Sequence, residues 1–203
     1  MDPSTPDAVL RRRFVSETLQ NPHNAAILER LPLLALPDAW GVAGCLFQTV
    51  WNLQAGLPPT AHIKDYDVFY FDGSDLSEAA ERQVQARVAA LFADLPITLE
   101  AKNQARVHLW YEQWFGHPYS ALRSSRHGIE RFLVPCTCVG LQPGATAEAA
   151  PVLHAPYGLE ELYAGILRPN PQCPHFALFQ AKARSYRDRW HWLVIEDEMD
   201  LPA

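Results

Sequence analysis

Positive charge is in short supply: 17 Lys and Arg face 23 Asp and Glu across 203 residues, a formal net charge of -6 with the eight histidines neutral. This counts against a general nucleic-acid binder, which needs basic surface to neutralise phosphates, but leaves room for a local basic groove. Cysteine is scarce as well. Cys45, Cys136, Cys138 and Cys173 are too few for a disulfide framework, and a reducing, cytoplasmic setting is the expectation. No apolar run approaches the roughly 18 to 20 residues that cross a bilayer. The first residues, with Pro3, Asp7 and the run Arg11, Arg12, Arg13, lack the apolar core of a signal peptide. The sequence offers no internal repeat and no Ser/His/Asp signature. What it has in quantity is apolar residues: 48% hydrophobic content can bury a sizeable core, as one domain or as one domain with a small appendage.

The chemistry centres on the stretch HIKDYDVFYFD at 62–72, where two acids one position apart run into an apolar, aromatic segment. Successive strand side chains alternate faces at about 3.3 Å per residue, so Asp65 and Asp67 would share a face with Cα atoms roughly 6.6 Å apart. Taken alone, such a pair is commonly just a polar strand end. Asp72 and Asp75 read as turn and cap residues before a helix over 77–92. At 97–103, Ile97, Leu99 and Ala101 alternate with Thr98, Glu100 and Lys102, as in a half-buried strand. If that strand lies beside the first, Glu100 becomes a third carboxylate in a cluster that repels itself unless metal-bound or partly protonated.

Upstream, 39–45 reads as a short strand turning into a helix over 46–54, with Gly44 at the junction. A glycine there either makes a tight turn or lets backbone N–H groups approach a phosphate at a helix N-terminus. Before it, 9–36 has helical spacing that Asn21-Pro22 and Leu31-Pro32 should split into two short helices, with the triple arginine on a solvated face.

Gly44 at a strand-helix turn, the strand-borne Asp65 and Asp67, and the later Glu100 resemble the nucleotidyltransferase superfamily that shares the catalytic fold of DNA polymerase beta. More closely, 64–72, 102–111, 155–162 and 168–171 resemble a bacterial family of that superfamily. The resemblance implies an α/β (α+β) fold, a mixed sheet flanked by helices, with residues 1–135 as the catalytic core and 136–203 completing the same domain or forming a small appendage. It implies two Mg²⁺ or Mn²⁺ ions held by Asp65 and Asp67, with Glu100 completing the site at the ion that activates the acceptor. Gly44 and Cys45 would meet the β and γ phosphates of a nucleoside triphosphate through backbone N–H groups, and Lys64, Lys102 and Arg106 are candidate counter-charges. The chain departs from the wider pattern in carrying Cys45 where a glycine or serine follows the first glycine, and in a longer interval to Asp65.

The implied activity is metal-dependent transfer of a nucleoside monophosphate to an acceptor, which the sequence leaves open among small molecule, protein and RNA, with pyrophosphate released. The alternative is a non-catalytic nucleotide-binding or interaction module that keeps the fold. Elsewhere, 104–115 reads as an aromatic packing segment, in which Trp110, Tyr111 and Trp114 are core before they are base-stacking residues and His108 is structural. Arg123, Arg126, His127 and Arg131 form a basic cluster on an expected helix within 119–131. Cys136 and Cys138, read as a strand, could join Cys173 and His175 around zinc, but their spacing is unlike that of structural zinc pairs. A small-residue loop at 140–150 leads to a short strand at 152–154 and a short helix at 158–164. A final helix carries Lys182, Arg184, Arg187 and Arg189, a set able to hold an anionic substrate, before a closing segment at 190–195 and an acidic, solvated end at 196–200.

Overall fold

The computed structural model describes residues 4–146, 149–173 and 175–196. Two helices open it, α1 (Pro6–Thr18) and α2 (Pro22–Arg30), separated where Asn21 accepts a hydrogen bond from the His23 N–H and Pro22 starts the second helix. Then follow β1 (Trp40–Val42), α3 (Gly44–Gln54), β2 (Asp65–Tyr70), α4 (Glu78–Leu91), β3 (Thr98–Asn103) and α5 (Val107–Phe115). The remainder comprises α6 (Ser125–Ile129), β4 (Gly140–Gln142), β5 (Val152–His154), α7 (Glu160–Ala164), β6 (Ile166–Leu167), α8 (Phe176–Arg187) and β7 (Val194–Ile195).

Five strands form one mixed sheet in the order β3-β2-β1-β4-β5, and β6 pairs with β7 apart from it. Within the large sheet β2 and β3 are parallel, which the intervening α4 makes possible, because parallel neighbours need a crossover. The other pairs are antiparallel. The two faces differ. Tyr66, Val68, Tyr70, Leu99 and Ala101 turn into the main core, which also takes Phe14 of α1, Phe47 and Trp51 of α3, Val88 of α4 and Tyr186 of α8. Trp51 is fully buried and donates its indole N–H to the Leu162 carbonyl at 3.0 Å. The opposite face carries a smaller cluster of Trp40, Val42, Ile129 and Cys138, with Phe69 and Phe132 against it.

Three expectations need correction. The helix within 119–131 shrinks to α6, because the Ser124 hydroxyl caps it by accepting from the His127 N–H, and Ser125 is pinned to Asp38 through its N–H and hydroxyl at 2.7 and 2.6 Å. The Cys136 to Cys138 segment is a 3-10 turn over Pro135–Thr137 rather than a strand, with Pro135 at its start and the Thr137 hydroxyl donating to the Val134 carbonyl. The loop expected at 140–150 begins as β4, paired with β1. A Cβ on Gly140 would come within 2.6 Å of Ile129 Cδ1, so any larger residue there would have to displace that buried side chain. Of the acidic end at 196–200, Glu196 pairs with Arg168 at 2.9 Å, and 197–200 lie outside the described residues.

Candidate active site

Parallel pairing sets the acids. Asp67 stands opposite Glu100, Asp65 opposite Thr98 and Phe69 opposite Lys102, so the residues that alternate away from the core on β2 and β3 share one face. Asp67 is consequently crowded: burial first, then the charges of Glu100 and Asp65, push its carboxyl up to about 6 against the pull of Lys102 and Lys182. Glu100 is turned to Lys102, Oε2 to Nζ 3.1 Å, with both side chains about half exposed at 47%. Asp65, Asp67 and Lys102 line the main cleft, of about 960 Å³, whereas Glu100 is not among its lining residues. Among the described residues no three His, Cys, Asp or Glu side chains converge as a ready metal cage.

The donor set nevertheless fits a hard divalent cation, because carboxylate oxygens are the ligands Mg²⁺ and Mn²⁺ prefer. Freeing Glu100 costs little. A half-exposed ion pair is worth about 1 kcal/mol or less, which a nearby divalent charge readily exceeds.

The N-terminal end of α3 borders the same cleft through Ala43, Gly44 and Gln48. Ala43 holds φ +46 and ψ -104, an uncommon conformation for a residue with a side chain, as the chain turns from strand to helix. Its own N–H is taken by the Val139 carbonyl and its carbonyl accepts from the Leu46 and Phe47 N–H groups, which leaves the Gly44 and Cys45 N–H groups as the ones without a partner in the first helical turn. Cys45 is buried, with its thiol directed to the Val42 carbonyl at 3.6 Å and pushed up to about 12 by burial and by Asp67. Only its backbone is therefore suited to an anion in the cleft.

Across from these, α8 supplies cations. Burial and Arg189 hold the Lys182 ammonium below its ordinary value, while Asp67 and Asp65 pull the other way, which places this lysine in the field of the acids. Arg189, just past the helix end, donates to Gln48 Oε1 at 3.0 Å and the His62 carbonyl at 3.3 Å, and stacks 4.6 Å from the Trp190 ring centre. Sequence reasoning saw a basic helix but not which cations matter. The signal was the spacing of Lys182, Ser185 and Arg189, three and then four apart, which puts Lys182 and Ser185 on one face of α8 and Arg189 just beyond its end, all three lining the cleft.

Other expected site residues separate. Lys64 is exposed and reaches the cleft. Arg106, expected as a counter-charge, is buried instead, donating to the Leu76 carbonyl at 2.7 Å and paired with Glu81, whose other oxygen accepts from the Asn103 N–H at 2.9 Å. It fastens the end of β3 to α4. Of the basic cluster, Arg131 lines the cleft, whereas Arg123 and Arg126 are exposed and outside its lining. Tyr111 and Phe115 also line it, while Trp114 is 77% exposed, so this aromatic segment is not simply core. Cys136, Cys138 and Cys173 are buried thiols, each raised by burial, and with His175 they make no metal-binding group among the described residues.

A family model described as nucleotidyltransferase matches residues 29–195. A solved structure whose description reads "The NMR structure of the protein reveals a CCA-adding enzyme head domain" superposes with a TM-score of 0.74 at 26% identity, covering 92% of this chain and 95% of that one. No curated protein matches the sequence. No helix among the described residues is long and apolar enough to cross a membrane.

Proposed function

The chain belongs to the nucleotidyltransferase family, and from that premise we propose that it transfers a nucleoside monophosphate from a nucleoside triphosphate to an acceptor hydroxyl, releasing pyrophosphate, in a metal-dependent reaction. The observation that carries this reading is the register of Asp67 against Glu100, with Asp65 on the same face, at the wall of a cleft that also meets the N-terminal end of α3.

Asp65 and Asp67 would hold Mg²⁺ or Mn²⁺, with Glu100 joining once released from Lys102. Bound there, the cation supplies charge neutralisation at the transferring phosphate and acidifies the acceptor hydroxyl. The residues of this chain do the rest. Backbone N–H groups of Gly44 and Cys45 receive the terminal phosphates, and Lys182 offsets the negative charge that grows on the departing pyrophosphate. Arg189, tied to Gln48, holds α8 against α3 so that both walls keep their spacing. In the transfer step the acceptor oxygen bonds to the α-phosphorus, and the bond from that phosphorus to the β-bridging oxygen breaks. Pyrophosphate leaves with the electron pair. The hydroxyl proton passes to the Glu100 carboxylate, half exposed and able to relay it to water.

The Glu100–Lys102 pair favours one other reading, a module that binds nucleotide without transferring it. Pyrophosphate release from ATP, GTP, CTP and UTP with Mg²⁺ or Mn²⁺ over an acceptor panel, together with Mn²⁺ binding followed by electron paramagnetic resonance, separates the two. Transfer requires that Asp67→Asn lose turnover at least a hundredfold and weaken Mn²⁺ binding. Nucleotide binding that ignores Asp65, Asp67 and Glu100, with no turnover in the wild type, would overturn the transferase.

A further inference from the structure

Past Phe69 the cleft changes character. Along the open face of β2 the order is Asp65, Asp67, Phe69, each step about 6.6 Å of strand, and Phe69 meets Phe132 with ring centres 5.7 Å apart. Next to Phe132 is Arg131. Its guanidinium carbon lies 4.2 Å from the centre of the Tyr119 ring, and Tyr119 is in turn 4.2 Å from Tyr111. Stacking of this kind fixes the plane of a guanidinium and leaves its in-plane donors available for a carboxylate or phosphate.

Those donors are short of acceptors. Arg131 has no ion-pair partner among the described residues, and its Nε is closed off from solvent with no hydrogen-bond partner. The adjacent carboxylate does not serve it, since Glu130 is turned to His154, Oε1 to Nε2 3.2 Å. A partly buried guanidinium that lines a cleft without an acceptor calls for an explanation that folding alone does not supply. The stack of Tyr111 and Tyr119 holds it in place without neutralising it.

We propose that this end of the cleft is the acceptor subsite, and that the acceptor is a small molecule carrying a carboxylate or phosphate on an apolar, ring-sized body. Its anionic group pairs with the edge of Arg131, its body lies against Phe69 and Phe132, and its hydroxyl points back along β2 to Asp67 and Glu100. The spacing sets a minimum size. One strand repeat, about 6.6 Å, separates Asp67 from Phe69, and Phe132 and Arg131 lie beyond Phe69, so reaching from the acids to Arg131 takes at least a ring-sized body where a single methylene would not. This assignment of the acceptor rests on the transferase reading, whereas the anion subsite itself does not.

The test is calorimetric titration of the full chain with 4-hydroxybenzoate, 4-hydroxyphenyl phosphate and the uncharged 4-hydroxybenzamide, each with and without ATP and Mg²⁺. At least one of the two acids should bind about tenfold or more tightly than the amide, the scale of a charge-assisted pair, and whichever is stronger identifies the anion as carboxylate or phosphate. Arg131→Gln should erase the difference between acid and amide while ATP affinity stays within twofold. Tyr119→Leu, which keeps the charge but removes the stack, should weaken the acids several-fold, with folding of both variants verified by thermal unfolding.

Equal binding of acids and amide in the wild type would overturn the subsite. Competition between the acids and ATP, or an equal loss of ATP affinity in Arg131→Gln, would assign Arg131 to the nucleotide and overturn the acceptor role. Binding of a short oligoribonucleotide through Arg131, steeply weakened by salt, in place of the acids would equally overturn a small acceptor. If ATP neither binds nor releases pyrophosphate while the acids still bind through Arg131, the transferase reading fails and the anion subsite stands.

Discussion

Removing the guanidinium of Arg106 separates a structural role from a phosphate-binding one. In the folded chain this side chain is 7% exposed and its partner Glu81 is 20% exposed. Arg106→Met deletes one charged pair and the hydrogen bond to the Leu76 carbonyl. Glu81 keeps the Asn103 N–H, so its carboxylate is stripped of its countercharge but not of all its bonds. Breaking a buried pair on one side costs about 3 to 5 kcal/mol, and the retained bond together with the partial exposure of Glu81 places the expected loss near the lower limit, about 3 kcal/mol. Urea unfolding followed by tryptophan fluorescence reads this as a lower midpoint with an unchanged slope. Because Arg106 fastens β3 rather than facing the cleft, ATP affinity measured where the variant is fully folded should stay within about twofold. A variant that unfolds like the wild type but binds ATP tenfold more weakly would refute this account and return Arg106 to the phosphates.

Two more predictions concern stability. Trp51→Ala removes a fully buried indole that meets Phe47, Tyr186 and Trp190 edge-on and leaves the Leu162 carbonyl without its donor. The expected loss is about 3 to 5 kcal/mol, read by the same unfolding assay, with a loss under about 1 kcal/mol counting against a shared core for α3 and α8. Burial holds the imidazole of His154 below its ordinary value of 6.5, beside Glu130, which opposes the shift. The unfolded chain takes up this proton near 6.5 and the folded chain only at lower pH, so the unfolded state binds more protons in that window. The His154 contribution to the unfolding free energy should therefore be fully retained above about 6.5 and fall as pH drops below it, against the opposite contribution of the raised Asp67 carboxyl, and His154→Gln should shift the pH slope below about 6.5 toward greater stability at lower pH. An unchanged slope in that variant would mean that His154 is not a source of the acid sensitivity.

The sequence by itself determined the elements whose causes are local. Asn21 and Pro22 stop and restart the first helices, alternation marks Asp65–Tyr70 and Thr98–Asn103 as strands, and Asp72 and Asp75 accept from Ser74 and Ser77 as turn residues should. Those periodicities also put Asp65 and Asp67 on one face, since a period of two needs no partner. Tertiary structure decided the rest. Glu100 joins the acids only because β2 and β3 are parallel and in a register that sets it beside Asp67, a choice no single strand carries. Arg106 and Arg131 look alike in the sequence, yet one is consumed by Glu81 and the other is left unpaired in the cleft. Lys182, far along the chain, comes under the influence of Asp67 because α8 folds back over the sheet. Charge, capping and alternation are written residue by residue. Which charges meet depends on contacts between residues distant in the chain, and these exist only once the core has brought the elements together.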